Sequence, residues 1–322
     1  DSSYSLFYDN SIPVGGTMRV KGDWNVVAKN GFDDYGVTVY GTRNIVCANS
    51  FTDGPTALDV LGNYSIYCAN HIENVRLAVG IGGSDLIAFE NILYNNNFIN
   101  SEQLVKNIGD NMANLWDNGF EGNYWSDYNG VDQNDDGIGD TPYPVKSEHL
   151  DYELRTMVEY VCGQDNYPLM APANLLDSSE WVYVFDAGVW QSTRYTVDVV
   201  TDSVVSGFSF NPEETLIQFN VNAEASQKSF CRVAIPRNML SADGNWVVYV
   251  DGQKIVPVVN ETAENSYLYF TFMHNQNTIK IVGTTAVPEF PQWIIMPLFF
   301  VSTLCMLFIK NRICKFGGFK NE

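Results

Sequence analysis

Ile45-Val46-Cys47-Ala48-Asn49-Ser50-Phe51 returns at the same phase as Ile66-Tyr67-Cys68-Ala69-Asn70-His71-Ile72 and as Ile92-Leu93-Tyr94-Asn95-Asn96-Asn97-Phe98. Fainter copies flank it. Leu6-Phe7 leads to Asn10 and Ile12, Val26-Val27 to Asn30 and Phe32, and Leu115 to Asn118 and Phe120. Aligned on asparagine, positions 10, 30, 49, 70, 96 and 118 are separated by 20, 19, 21, 26 and 22 residues. A period near 20 without helical periodicity predicts a solenoid of short strands, one coil per repeat. One such repeat cannot bury its own apolar positions, so it stacks on the next. Stacked coils lie about 4.8 Å apart, which sets asparagine above asparagine. An amide both donates and accepts, so Asn10, Asn30, Asn49, Asn70, Asn96 and Asn118 are expected to form a hydrogen-bonded ladder.

Two apolar residues precede each asparagine, so alternation does not tell which faces the lumen. A second strand per coil is predicted over Gly36-Val37-Thr38-Val39, Ala57-Leu58-Asp59-Val60 and Leu77-Ala78-Val79. Cys47 and Cys68 hold the same place in adjacent coils. They are within disulfide reach, but adjacent strands offer poor disulfide geometry, and a buried thiol ladder is the preferred reading.

The chain carries 38 acidic and 18 basic residues, a formal charge of −20. Such a surface repels phosphates and argues against nucleic acid as a partner, leaving cations and neutral glycans. The start, Asp1-Ser2-Ser3, has no basic or apolar leader, so a mature form or a fragment is expected.

The stretch from Gly122 to Tyr143 contains Asp132, Asn134 and Asp136 at alternate positions, then Gly137. This is the opening of an EF-hand-like calcium loop, with the Ile138 carbonyl and Asp140 as further ligands. The twelfth position is Tyr143 instead of glutamate, so Glu148 or Asp151 would have to complete the shell. Copper is not expected: His71, His149 and His274 are scattered, and soft-metal ligation needs a cluster.

Together with Asp165-Asn166-Tyr167-Pro168-Leu169-Met170 and the Asn-x-Phe coils, Gly122 to Tyr143 resembles the closing segment of NosD-type right-handed parallel β-helix proteins. That family belongs to a carbohydrate-binding and sugar-hydrolysis class abundant on archaeal surfaces. The resemblance implies a β-helix and leaves the ligand open.

Beyond Ala171-Pro172-Ala173-Asn174 the asparagine phrase stops. Strands are predicted at 181–185, 195–200, 204–210, 216–221, 230–235, 246–250, 254–258, 267–272 and 278–282, with Asp251-Gly252 as a hairpin turn. This pattern fits an antiparallel sandwich and resembles immunoglobulin-like modules. The run 290–309 holds no charge over 20 residues and is followed by Lys310, Arg312 and Lys315. A single membrane helix with the bulk outside the cell is expected. Pro288-Glu289-Phe290-Pro291 resembles a PEF-type sorting signal.

The expected all-β organisation is therefore a parallel β-helix over 1–150 with its calcium-type loop at 122–143, then a linker at 151–176 and a β-sandwich at 177–284. A juxtamembrane stalk at 285–293, a transmembrane helix at 294–309 and a cytoplasmic tail at 310–322 complete it. Asn63 and Asn260 begin glycosylation sequons. Asp33, Asp34, Asp59 and Asp85 are the carboxylates available for sugar-cutting chemistry, and no pair among them sits at matching phase on adjacent coils. Exposed aromatics such as Tyr67 are candidates for stacking on sugar rings. The functional expectation is a non-catalytic glycan-binding, adhesion or envelope protein anchored at the cell surface. Two alternatives remain: a polysaccharide lyase or hydrolase whose catalytic coils lie upstream, and a copper-related accessory protein of the NosD type.

Overall fold

A computed structural model describes residues 3–83, 86–108, 113–151, 155–173, 181–190, 192–222, 228–242, 245–273 and 276–286. Of the stalk expected at 285–293, Thr285–Ala286 instead pair as a strand with Leu240–Ser241, and the rest of it, the membrane helix and the tail lie outside these residues. Among the described residues no helix is long and apolar enough to cross a membrane.

The repeat region folds into three parallel sheets. The first stacks Leu6–Tyr8, Val26–Ala28, Ile45–Cys47, Ile66–Cys68 and Ile92–Tyr94. The second stacks Ser11–Ile12, Gly31–Phe32, Ser50–Thr52, His71–Glu73, Asn97–Ile99 and Tyr124–Trp125. The third stacks Met18–Val20, Tyr35–Val39, Thr56–Val60, Leu77–Ile81 and Gln103–Asn107. Each of the first five coils thus gives one strand to each sheet, a three-sided coil where two strands per coil were expected, and a sixth adds Tyr124–Trp125 to the second sheet. The strand missed by sequence reading is the two- or three-residue segment that carries Phe32, Phe51, Ile72 and Phe98 after the asparagine; it is too short to show alternation.

Val27, Val46, Tyr67 and Leu93 point into the lumen from the first sheet, facing Phe32, Phe51, Ile72 and Phe98 from the second. Phe32 stacks on Phe51 at 4.7 Å and Phe98 on Trp125 at 4.5 Å. Tyr67 is fully buried in this core and offers no ring to a sugar, contrary to expectation. The tyrosine occupies a lumen position between Val46 and Leu93, where ring area is buried instead of displayed.

The end of the coil is closed by an antiparallel hairpin, Tyr143–Asp151 with Thr156–Asp165. Part of the segment expected to be a linker, 156–165, is therefore the second strand of the closing hairpin. Tyr143 stacks on Trp125 at 4.5 Å, and Val145 and Cys162 complete the same core. The hairpin seals an apolar lumen that would otherwise open to water.

From Val182 the chain forms two five-stranded antiparallel sheets around one core. The first runs in the order Val182–Trp190, Thr193–Thr201, Lys228–Pro236, Asn265–Met273, Val258–Glu261. The second runs Val204–Asn211, Leu216–Asn222, Gln276–Val282, Val247–Val250, Gln253–Ile255. Asp251 and Gly252 have φ of 49° and 81°, the left-handed pair a tight hairpin needs. The single strand expected over 254–258 is two, because the chain leaves one sheet at Ile255 and joins the other at Val258, with Pro257 unable to donate to either ladder.

The outer face of the first parallel sheet is apolar too. Val26, Ala28, Ile45, Cys47, Ile66 and Cys68 pack against Trp181, Val182, Val200 and Phe230 of the second unit. The tandem apolar residues of each repeat are explained by this: one faces the lumen and its neighbours face the second unit. Cys47 and Cys68 are in register, buried and free.

Candidate functional site

Every coil turns through left-handed backbone at the corner entering the first sheet. Tyr4, Trp24, Arg43, Tyr64 and Glu90 have φ of 64°, 61°, 54°, 56° and 54°. Behind each corner stands a second ladder that the repeat phrase did not reveal. Asn25 Nδ2 donates to Asn44 Oδ1 at 3.1 Å, Asn44 N to Ser65 Oγ at 3.1 Å, Ser65 N to Asn91 Oδ1 at 2.9 Å, and Asn91 Nδ2 to Asn114 Oδ1 at 2.9 Å. Its signal was a polar residue five places before Asn10, Asn30, Asn49, Asn70 and Asn96, with serine standing for asparagine at Ser5 and Ser65. The ladder fixes the corner, so the corner side chains form a column along the coil axis.

That column is one wall of a cleft of about 490 Å³ between the β-helix and the second unit. The Arg43 guanidinium lies 5.7 Å from the Trp24 ring centre and 5.4 Å from that of Tyr64. Tyr64, 43% exposed, meets Phe89 edge-on at 5.3 Å. Arg232, Val258 and Tyr269 form the facing wall. Burial pulls the Arg232 guanidinium down to about 10, still protonated at neutral pH. The two units are also tied by Tyr94, whose hydroxyl donates to Asp202 at 2.9 Å, and by Tyr4 stacked on Tyr267 at 4.4 Å.

The first ladder runs as expected through Asn10, Asn30, Asn49, Asn70 and Asn96. Its next rung is Asn123, not Asn118: Asn96 Nδ2 donates to Asn123 Oδ1 at 2.9 Å. Asn118 instead accepts from the amides of Phe120 and Glu121 in a local turn. Asp165 terminates the ladder, accepting from Asn123 N at 2.7 Å and from Trp125 Nε1 at 2.8 Å.

In the loop after Val131, Asp132 accepts from the amides of Asp136 and Gly137, Asp136 from that of Ile138, and Asp140 from that of Gln133. Asn134 Nδ2 donates to Asp136. The donor set is all oxygen and suits calcium, but Tyr143, at the place of the bidentate glutamate, is packed in the core with its hydroxyl donating to Asp127. Among the described residues no group of three or more His, Cys, Asp or Glu is gathered as a metal set.

The sequon asparagines are engaged. Asn63 Oδ1 accepts from Phe89 N, and Asn260 Nδ2 donates to the Tyr4 hydroxyl. Asp34 accepts from Gly15 N and Asp59 from the Thr38 hydroxyl, while Asp85 lies outside the described residues. His71 sits beside Glu73 at 3.2 Å, His149 lies in the closing hairpin, and His274 is outside the described residues.

The fold defined by these observations is all-β with stacked parallel sheets, of the β-helix kind. Its similarity to known proteins is partial and points the same way. The chain is 37% identical over 75 residues to a probable ABC transporter binding protein NosD of Stutzerimonas stutzeri, covering 23% of this chain and 16% of that protein. It is 40% identical over 76 residues to the corresponding protein of Pseudomonas aeruginosa, covering 23% and 18%. The matched stretches thus span less than a fifth of either relative. No family model and no solved structure matches.

Proposed function

We propose that the chain is a cell-surface glycan-binding protein in which the rigid β-helix presents the inter-unit cleft. The observation that carries this reading is the column Trp24, Arg43 and Tyr64 facing Tyr269 across about 490 Å³. Aromatic rings offer the apolar faces on which sugar rings stack, and a guanidinium supplies forked donors for their oxygens. A cleft of this size accommodates a small ligand. Both relatives are named as probable ABC transporter binding proteins, which agrees with binding instead of turnover. Anchoring by the apolar run at 290–309 would put the bulk of the chain outside the cell. Intact cells displaying the full chain are expected to capture labelled glycans selected on an array, and external protease should abolish capture. Array silence, or capture that survives protease, would count against the reading.

Calcium at Asp132, Asn134, Asp136, Ile138 and Asp140 is proposed as a structural ion pinning the loop beside the closing hairpin. With an incomplete shell, a dissociation constant of about 10⁻⁴ to 10⁻³ M is expected. At ten times that concentration the ion would stabilise the fold by about 1.4 kcal/mol. Calorimetric melting in calcium and in chelator should differ by about 2 to 4 °C, and Asp132→Ala with Asp136→Ala should remove the difference. Superimposable melts, with no heat of calcium binding, would leave the loop held by its amide hydrogen bonds alone.

A further inference from the structure

Arg232 occupies a position made for an apolar side chain. In its strand, Cys231, Val233 and Ile235 enter the core of the second unit, so Phe230, Arg232 and Ala234 face the β-helix. Phe230 joins the apolar contact with the first parallel sheet. Arg232 is only 5% exposed, and its Nε is buried without a hydrogen-bond partner. Among the described residues its guanidinium has no carboxylate within ion-pair distance, although Asp198, on the adjacent strand, lies near enough to attract it. What it does meet is the Tyr267 ring, 5.1 Å away. Such a contact contributes about 0.5 to 2 kcal/mol, whereas burying a guanidinium whose Nε has no hydrogen-bond partner costs more. The position becomes favourable when an anion arrives.

The anion has a route. Arg232 lines the cleft described above, and Arg43 lies in the same cleft. In a chain of net charge −20, two guanidinium groups share this opening with one carboxylate, Glu90. A planar carboxylate matches the guanidinium fork, and Tyr64 and Tyr269 provide ring faces beside it. A neutral sugar would satisfy the rings and leave Arg232 unpaired.

We propose that the cleft takes a sugar acid, its carboxylate paired with Arg232 and its ring against Tyr64 and Tyr269, with Glu90 available to accept from a ring hydroxyl. The proposal rests on the glycan-binding reading and narrows it. The test is isothermal titration of the full chain in detergent with galacturonic, glucuronic and mannuronic acids, beside galactose, glucose and mannose. At least one acid should bind ten-fold or more tightly than its neutral counterpart. Arg232→Gln should remove that preference by weakening the acid far more than the neutral sugar, and Tyr64→Ala should weaken both, with circular dichroism of each variant checking that it is folded. Equal binding of acids and neutral sugars would overturn this inference and leave glycan binding standing. Binding by none of the six, with glycans captured on the array, would likewise overturn it, whereas silence in both would overturn the two together. An acid preference that persists in Arg232→Gln would relocate the site and refute the role given to Arg232.

Discussion

Asn70→Leu is expected to lower the stability of the β-helix by about 3 to 6 kcal/mol. Asn70 is fully buried and works in both directions along the ladder. Its Oδ1 accepts from Asn49 N and Asn49 Nδ2, both at 3.0 Å, and its Nδ2 donates to Val46 O and Asn96 Oδ1, both at 2.9 Å. Leucine supplies none of these contacts. Asn49 N is then left with no partner, one Asn49 amide hydrogen is stranded, and Val46 O loses a donor. Each buried orphan costs about 1 to 3 kcal/mol, and two or three arise at once. Coils on both sides share the loss, since each depends on its neighbour for burial. Urea denaturation followed by circular dichroism measures the effect. Asn118→Leu is the control, expected to cost much less than Asn70→Leu, because Asn118 accepts from the amides of Phe120 and Glu121 in a turn outside the ladder. Equal midpoints for Asn70→Leu and the unaltered chain would refute the ladder as a source of stability.

The asparagine spacing made the coil and most of its ladder legible because a solenoid repeats its chemistry at fixed phase. Legibility failed where the phase broke. Between Asn96 and its next rung the chain inserts the turn at Asn118 to Glu121, so counting one period from Asn96 lands on the wrong amide. Ser65 replaces asparagine in the second ladder and hides that column from a search for one residue type. The pairs Ile45-Val46 and Ile66-Tyr67 were undecidable locally, since both faces of the first sheet are buried, one by the lumen and one by a unit more than a hundred residues away. Arg232 could not be singled out for the same reason. Its strand alternation is visible, but that its outer face is covered is a tertiary fact. The nine predicted strands of the second unit, by contrast, were legible from β-branched and aromatic runs broken by turn residues, and only Val256-Pro257 divided one of them.

Asp165→Ala should destabilise the closing hairpin by about 3 to 5 kcal/mol, and pH should reveal the same group without mutation. Asp165 is fully buried where the ladder, the lumen and the hairpin meet. It accepts from Asn123 N at 2.7 Å, Trp125 Nε1 at 2.8 Å and Tyr167 N at 3.1 Å. Alanine leaves these three buried donors unmatched. The donors favour the ionised carboxylate, but burial opposes it more strongly and pushes Asp165 from its ordinary 3.8 up to about 6. A carboxyl raised by folding makes the folded state bind its proton more tightly than the unfolded chain does. Its contribution to stability is therefore fully present below about pH 4 and is lost as pH rises through about 6, an amount on the order of 3 kcal/mol. Asp202, which burial likewise pushes up to about 6, acts in the same window, and relief of the −20 charge on acidification works in the same direction. Asp165→Asn separates these contributions, because it keeps the shape and removes the titration. The gap in denaturation midpoint between the unaltered chain and Asp165→Asn should widen in favour of the unaltered chain as pH falls from 7 to 4. A gap independent of pH would show that Asp165 does not titrate in this range, and that its amide and indole donors hold the carboxylate ionised against burial.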